Sequence, residues 1–170
     1  MRKSSMKAPR IVSRIDLRPL TAPEAGASAD MWHAGWRDGH LGIVPDALVP
    51  FRDRDTFLKR LEASLQQCFI CGPVGAPDGF IRLKGDEIDQ FYVSGTARGT
   101  GLAQDLMVAT QDMLRARGVT RAWLYCSVGN VRAARFYEKS GFQHRQTVSA
   151  AVETLGAPIT LDVMRFEKDL

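Results

Sequence analysis

The spacing of hydrophobic and polar positions changes several times along the chain, and each change marks an element. Residues 11–18 alternate, with Ile11, Ser13, Ile15 and Leu17 opposite Val12, Arg14, Asp16 and Arg18, which predicts a half-buried first strand ended by Pro19. From Thr21 to about Gly39 the spacing turns helical, with Thr21 placed as a cap, Glu24 in the capping-box position and Trp32 one turn from Trp36. Gly39, Gly42, Pro45 and Pro50 make the next stretch a loop. A second helix is predicted from Asp55 to about Gln66, carrying Phe57, Leu58, Leu61 and Leu65 on one face. Residues 68–74 and 80–84 read as a hairpin around the turn 75–79, and a further strand over 87–93 completes a small antiparallel meander.

The second half has a different rhythm. A glycine-containing loop, 96–100, feeds the strongest helical pattern, in which Leu102, Ala103, Leu106, Met107, Thr110, Met113 and Leu114 share a wide face and Gly118 marks the stop. The stretch 121–127 is rich in aromatic and aliphatic residues and is predicted to be a strand buried on both faces. A helix from about Asn130 to Ser140 follows, ended by a left-handed cap at Gly141 that folds Phe142 back onto Phe136. Strands over 143–154 and 158–167 close the chain as a hairpin around residues 155–157. No internal repeat is visible.

Composition narrows the function classes. A length of 170 residues fits one domain, assigned to 11–170 behind a basic flexible tail at 1–10, and 45% hydrophobic with 25% charged residues is the balance of a folded globular chain. The absence of any apolar run near the roughly 18 residues of a membrane span leads us to expect no membrane partner and a cytoplasmic location. The formal charge of +4 suggests nucleic acid, but Arg2, Lys3, Lys7 and Arg10 account for it, leaving 19 basic and 19 acidic groups in the rest. We therefore expect no nucleic-acid partner. Cys68 and Cys71 form a C-x-x-C, yet three residues apart on a strand they point to opposite faces, and no second pair exists. No metal is expected.

One segment carries chemistry. Between the strand ending at Val93 and the helix starting at Leu102, Ser94-Gly95-Thr96-Ala97-Arg98-Gly99-Thr100-Gly101 offers small residues at a helix start, where unpaired backbone N–H groups and the positive end of the macrodipole suit a phosphate or pyrophosphate. It is not a dinucleotide fingerprint, since Gln104 stands where the third glycine belongs, and no Gly-Lys-Ser/Thr of a triphosphate loop is present.

Read with Asn130, Ala133, Phe136-Tyr137 and Gly141-Phe142, this loop resembles the GNAT superfamily of acyl-CoA-dependent N-acetyltransferases. Arg98-Gly99-Thr100-Gly101-Leu102-Ala103 meets that family's Arg/Gln-x-x-Gly-x-Gly/Ala loop, and the later residues meet its Asn-x-x-Ala and Phe-Tyr-x-x-x-Gly-Phe signature. Gly95 departs from it, where many members carry proline. The resemblance implies a mixed, mostly antiparallel α/β sheet of about seven strands flanked by about four helices, with a splayed parallel pair at 87–93 and 121–127. It implies acetyl-CoA as cofactor, a small-molecule or peptide amine as acceptor, and direct transfer; a non-catalytic CoA-binding module of the same fold is the alternative. A homodimer is left open.

The resemblance assigns roles residue by residue. The backbone from Arg98 through Gly99, Thr100, Gly101 and Leu102 to Ala103 binds the pyrophosphate, and the main chain of Phe91 and Val93 pairs with the pantetheine arm. Asn130, Ala133 and Tyr137 face the thioester, with Tyr137 donating to the departing sulfur. Removing the proton of an amine whose pKa is about 10.4, neutral about once in 2,500 molecules at pH 7, needs a base. Glu87 and Asp89 are the candidates. Trp36 and His40 are candidates for the acceptor wall. Each has a structural alternative: Tyr137 packing beside Phe136, Asn130 capping its helix, Glu87 and Asp89 on a solvated strand face, Trp32 and Trp36 in the core.

Overall fold

The computed structural model describes residues 15–152, 154 and 156–170. Within these residues seven strands form one sheet in the order β1-β2-β3-β4-β5-β7-β6: β1 Arg18–Pro19, β2 Cys68–Cys71, β3 Gly79–Lys84, β4 Glu87–Val93, β5 Arg121–Ser127, β6 Gln143–Val152 and β7 Ile159–Asp169. Among the described residues four α-helices accompany it: α1 Ala25–His40, α2 Arg54–Glu62, α3 Leu102–Ala116 and α4 Val131–Lys139. All neighbouring strands are antiparallel except β4 and β5, which run parallel and share only the register pair Glu87↔Trp123. Trp123 secures that one junction by donating its backbone N–H to the Asp86 carbonyl at 3.2 Å and its indole N–H to the Asp86 carboxylate at 3.0 Å. Beyond it the two strands splay.

Two cores lie on the two sheet faces. Trp32, Leu48, Phe57, Leu61, Ile70 and Phe80 fill the space under α1 and α2, and Ile81, Leu83, Leu106, Leu124, Phe142 and Phe166 fill it under α3 and α4. The period-two alternation of the strands produces this division, since Phe80 and Ile81 are consecutive and belong to opposite cores. Cys68 and Cys71 separate in the same way, as predicted, and burial pushes both thiols up.

The structure corrects several local expectations. Residues 1–14, with the tail and the start of the predicted first strand, lie outside the described residues, as does Leu155 of the last turn. The part of the first strand that is described is only Arg18–Pro19, and Pro19 belongs to it, tolerated because β1 is an edge. Glu24 does not close a capping box. It is 5% exposed, accepts a two-pronged bond from Arg18 at 2.7 and 2.8 Å and others from the Thr21 hydroxyl at 3.0 Å and the Gly75 N–H at 3.1 Å. The Arg18 bond, outweighing burial, holds its carboxyl at about 2. Helix α2 starts earlier and ends earlier than predicted: Asp53 caps it by accepting from Thr56 N–H at 2.7 Å, and the Ser64 hydroxyl captures the Arg60 carbonyl just beyond its end. The predicted strand 68–74 stops at Cys71, leaving Val74 exposed. Strand β5 is buried on one face only, because α1 and α2 cover β2 to β4 and leave Trp123 half-buried and Tyr125 exposed. Among the described residues no helix is long and apolar enough to cross a membrane.

Candidate active site

The splay between β4 and β5 opens a cleft of about 760 Å³, and the loop entering α3 and the start of α4 stand at its rim. Such an opening at strand carboxyl ends is where open sheets take ligands.

The loop is built to leave N–H groups bare. Ser94 accepts from the Ala97 N–H and starts a short 3-10 turn at Gly95–Ala97, after which Gly99 and Gly101 both adopt positive φ, 76° and 88°. A Cβ at either glycine would meet nothing within 4 Å. The first helical bonds of α3 run from Gln104 and Asp105 to the Gly101 carbonyl, so the N–H groups of Arg98, Gly99, Gly101 and Ala103 have no partner among the described residues. These donors face open space at the positive end of a fifteen-residue helix. The Arg98 side chain is engaged with Asp38 of α1, tying the loop to the opposite wall and holding the Asp38 carboxyl below its ordinary range. Arg98, Gly99, Gly101 and Ala103 line the cleft; Thr100 and Leu102 do not. The Thr100 hydroxyl braces the loop on the Ala97 carbonyl at 2.6 Å, and Leu102 packs on the core. Phe91 and Val93 also line it, on the length of β4 that has left β5 and keeps one main-chain edge unpaired by strand.

Helix α4 positions two more side chains. Asn130 is its cap, accepting from the Ala133 N–H at 3.2 Å through Oδ1, and it lines the cleft together with Ala133. Capping and a place on the cleft wall thus coexist. At the other end Gly141, at φ 88°, closes a Schellman turn: its N–H reaches the Glu138 carbonyl at 2.9 Å and Phe142 N–H the Tyr137 carbonyl at 3.0 Å. That turn brings Phe142 onto the ring of Tyr137, 6.3 Å away, rather than onto Phe136 as expected, because the residue it folds against is the one whose carbonyl it caps. Phe136 and Phe166 flank the same ring at 5.6 and 6.0 Å, so the phenol is fixed in the cleft wall. Its burial drives the phenol pKa well up, and the hydroxyl bonds to none of the described residues, leaving a protonated donor.

The two candidate carboxylates differ. Asp89 is gripped by Arg82 at 2.6 Å and Lys84 at 2.9 Å; burial alone would raise its carboxyl, but those cations hold it below the ordinary range. Glu87 has no ion pair among the described residues, and burial followed by the neighbouring Asp89 charge raises it. Both line the cleft, and of the two Glu87 has the higher proton affinity.

Trp36 and His40 form the far wall, their rings stacked at 5.2 Å and 7°, whereas Trp32 is fully buried. His40 Nδ1 sits 2.9 Å from the Trp36 carbonyl, which only accepts, so Nε2 is the acceptor nitrogen; burial lowers the imidazole pKa. The sequence reading missed Arg52, Arg60 and Tyr125 and the wall supplied by the β6–β7 hairpin through Ala150, Val152 and Leu161. Cys126 lines the cleft as well, its thiol pushed by burial up to about 12 and so unfit as a nucleophile. Among the described residues no group of three or more His, Cys, Asp or Glu is placed to hold a metal.

Comparison with known proteins agrees with this geometry. The family described as Acetyltransferase (GNAT) family matches residues 48–142. The mycothiol acetyltransferase of Beutenbergia cavernae is 46% identical over 56 residues, which are 31% of this chain and only 19% of that protein. A crystal structure of a GCN5-related N-acetyltransferase from Rhodopseudomonas palustris, described as Aminotransferase, Class-II, superposes with a TM-score of 0.72 at 25% identity over 94% of this chain and 98% of that one. The paiA N-acetyltransferase of Thermoplasma acidophilum, solved in complex with coenzyme A, shares the fold at a TM-score of 0.66 and 16% identity, over 92% of this chain and 99% of that one.

Proposed function

The chain belongs to the GNAT acetyltransferase family, and from that premise we propose that it binds acetyl-CoA and transfers the acetyl group directly to a primary amine of a small molecule or peptide. One observation carries the reading: the bare N–H groups of the Gly99–Gly101 turn lie on the same cleft as a carboxylate of raised pKa, Glu87, and a half-buried phenol donor, Tyr137. The residues fit the cofactor, since a pyrophosphate needs unpaired donors at a helix start and side-chain-free approach, and the turn offers both. Bound there, acetyl-CoA supplies an activated acyl thioester.

The chain's own residues do the rest. The amides of Arg98, Gly99, Gly101 and Ala103 hold the diphosphate, and the free edge of β4 near Phe91 and Val93 aligns the pantetheine arm. Asn130 keeps Nδ2 available beside the arm while Oδ1 caps α4. Glu87 takes a proton from the attacking amine, directly or through a water, and the new C–N bond forms as the C–S bond breaks. Tyr137 donates a hydrogen bond to the departing sulfur. Because a thiolate with a pKa near 8.5 is already a fair leaving group, Tyr137→Phe is expected to lower kcat by about tenfold to a hundredfold, the range for a hydrogen bond to a charged atom, rather than abolish it. A steady-state assay of CoA release checks this.

Calorimetry with acetyl-CoA and CoA tests the proposal as a whole. Saturable binding of both, with CoA release in the presence of a primary amine, is the expected result. Failure to bind at millimolar ligand would overturn it, and binding without release from any amine would favour the non-catalytic module.

A further inference from the structure

A second phenol lines the cleft, and the transfer step as described leaves it without a task. Tyr92 lies between Phe91 and Val93 on the length of β4 that has parted from β5. Strand alternation sends its side chain to the other face: Phe91 and Val93 pack on the core under α3 and α4, Tyr92 on the core under α1 and α2. Tyr137 packs on the α3–α4 side, so the two phenols line one cleft from opposite faces of the sheet. They are near enough for the charge of one to act on the other. With the pantetheine arm aligned on the main chain of Phe91 and Val93, Tyr92 flanks its thioester end on the acceptor side and Tyr137 on the far side.

The Tyr92 ring is held while its hydroxyl is left open. A Cβ at Gly35 of α1 would lie 2.6 Å from Tyr92 Cδ1, so glycine there is what lets the ring rest against the helix, and the Trp32 ring flanks it at 6.5 Å between centroids. The Trp32 indole N–H, buried and unbonded, approaches the Tyr92 hydroxyl without closing a hydrogen bond. A donor on that side attracts the oxygen's lone pairs and turns the phenol hydrogen away from it. Asp89, the carboxylate whose charge reaches Tyr92, is occupied by Arg82 at 2.6 Å and Lys84 at 2.9 Å. Burial raises the phenol pKa and keeps the proton in place. Tyr92 thus presents an O–H on the cleft wall that no acceptor among the described residues takes up.

We propose that Tyr92 is a further catalytic residue, its hydroxyl donating a hydrogen bond to the acetyl carbonyl oxygen while Tyr137 serves the sulfur. This rests on the acetyl-transfer reading above and adds a donor to it. As the amine's lone pair forms the C–N bond, the carbonyl π pair moves onto oxygen and meets the Tyr92 O–H. That pair returns as the C–S bond breaks with its electrons going to sulfur, and the amine proton goes to Glu87. A donor already aimed at the oxygen where charge develops lowers the barrier without rearranging during the step.

Isotope-edited infrared spectroscopy of carbonyl-labelled acetyl-CoA, bound without an acceptor, reads this contact in the absence of turnover. The expected result is a carbonyl stretch shifted to lower frequency on binding to the wild type, a shift lost in Tyr92→Phe and kept in Tyr137→Phe. In the CoA-release assay Tyr92→Phe is expected to lower kcat about tenfold to a hundredfold, the range for one hydrogen bond to a charged atom, with the acceptor KM unchanged. Phenylalanine keeps the ring against Gly35, and a CoA affinity equal to that of the wild type shows that the variant is folded. A carbonyl frequency equal in wild type and Tyr92→Phe, or a loss confined to the acceptor KM, overturns the assignment of Tyr92 and leaves acetyl transfer standing. Wild type that shows the shift but releases CoA with no primary amine overturns the transfer reading, and the catalytic role of Tyr92 with it.

Discussion

Replacing Glu87 with glutamine is expected to lower kcat/KM by about 10²- to 10⁴-fold, the usual contribution of a positioned base, with CoA affinity unchanged. The size follows from the acceptor: an amine with a pKa near 10.4 carries a penalty of roughly 4–5 kcal/mol at pH 7 before it can attack. The choice of Glu87 over Asp89 follows from their surroundings, one carboxylate raised by burial and its neighbour's charge, the other lowered by two cations. The same shift has a stability consequence of known sign. A carboxyl whose pKa is higher in the folded protein than in the unfolded chain stabilises the fold below the unfolded value and loses that contribution as pH rises through the folded one. At pH 7 the Glu87 charge is therefore a cost, and Glu87→Gln is expected to leave the melting temperature equal or higher while activity falls. The wild type should lose activity on acidification through a pKa above the ordinary carboxylate range, and the variant should lack that limb. His40 also titrates in the acid range, its imidazole lowered by burial, so an acid limb that persists in Glu87→Gln would transfer the role of base away from Glu87.

The parts legible in the sequence were those whose cause is local. The α3 loop was readable because positive φ at Gly99 and Gly101 and a helix start are properties of adjacent residues. The α4 cap was readable too, although a one-residue misjudgement assigned the partner of Phe142 to Phe136 instead of Tyr137. What escaped depends on contacts between distant segments. Glu24 looked like a capping residue because nothing nearby shows that Arg18 and the Gly75 N–H will converge on it from β1 and from the β2–β3 turn. The one-sided burial of β5 depends on where α1 and α2 stop covering the sheet, which its own aromatic composition does not encode. Arg60 escaped for a similar reason: it lies on a charged helix face, and its place on the cleft wall depends on packing against Trp32 and Phe57. The side of the cleft made by the α3 loop and α4 is thus written in short motifs, and the Trp36–His40 side in tertiary packing.

That division makes Gly101→Leu the most direct test of the motif half, and its expected effect is a loss of about a hundredfold in CoA affinity with the fold retained. Two contributions add. A β-carbon at φ 88° costs about 1–2 kcal/mol of backbone strain, which the loop relieves by shifting its backbone N–H groups. A leucine side chain also occupies the open space in which a diphosphate would approach, displacing at least one charge-assisted hydrogen bond of about 1.5–3 kcal/mol. Since about 1.4 kcal/mol is a factor of ten in affinity, either alone is measurable and the pair gives the stated loss. Strain of this size should lower the melting temperature by only a few degrees in a chain of this length, because no atom lies within 4 Å of the new Cβ to be pushed aside. Gly118→Leu is the matching control: φ there is 81°, the space is equally open, and the position lies beyond the far end of α3, off the cleft. It should cost similar stability and leave CoA binding as it was. Wild-type affinity in Gly101→Leu, or an equal loss of affinity in Gly118→Leu, would move the diphosphate away from this turn, because strain and open space are common to the two sites and only the bare N–H groups distinguish them.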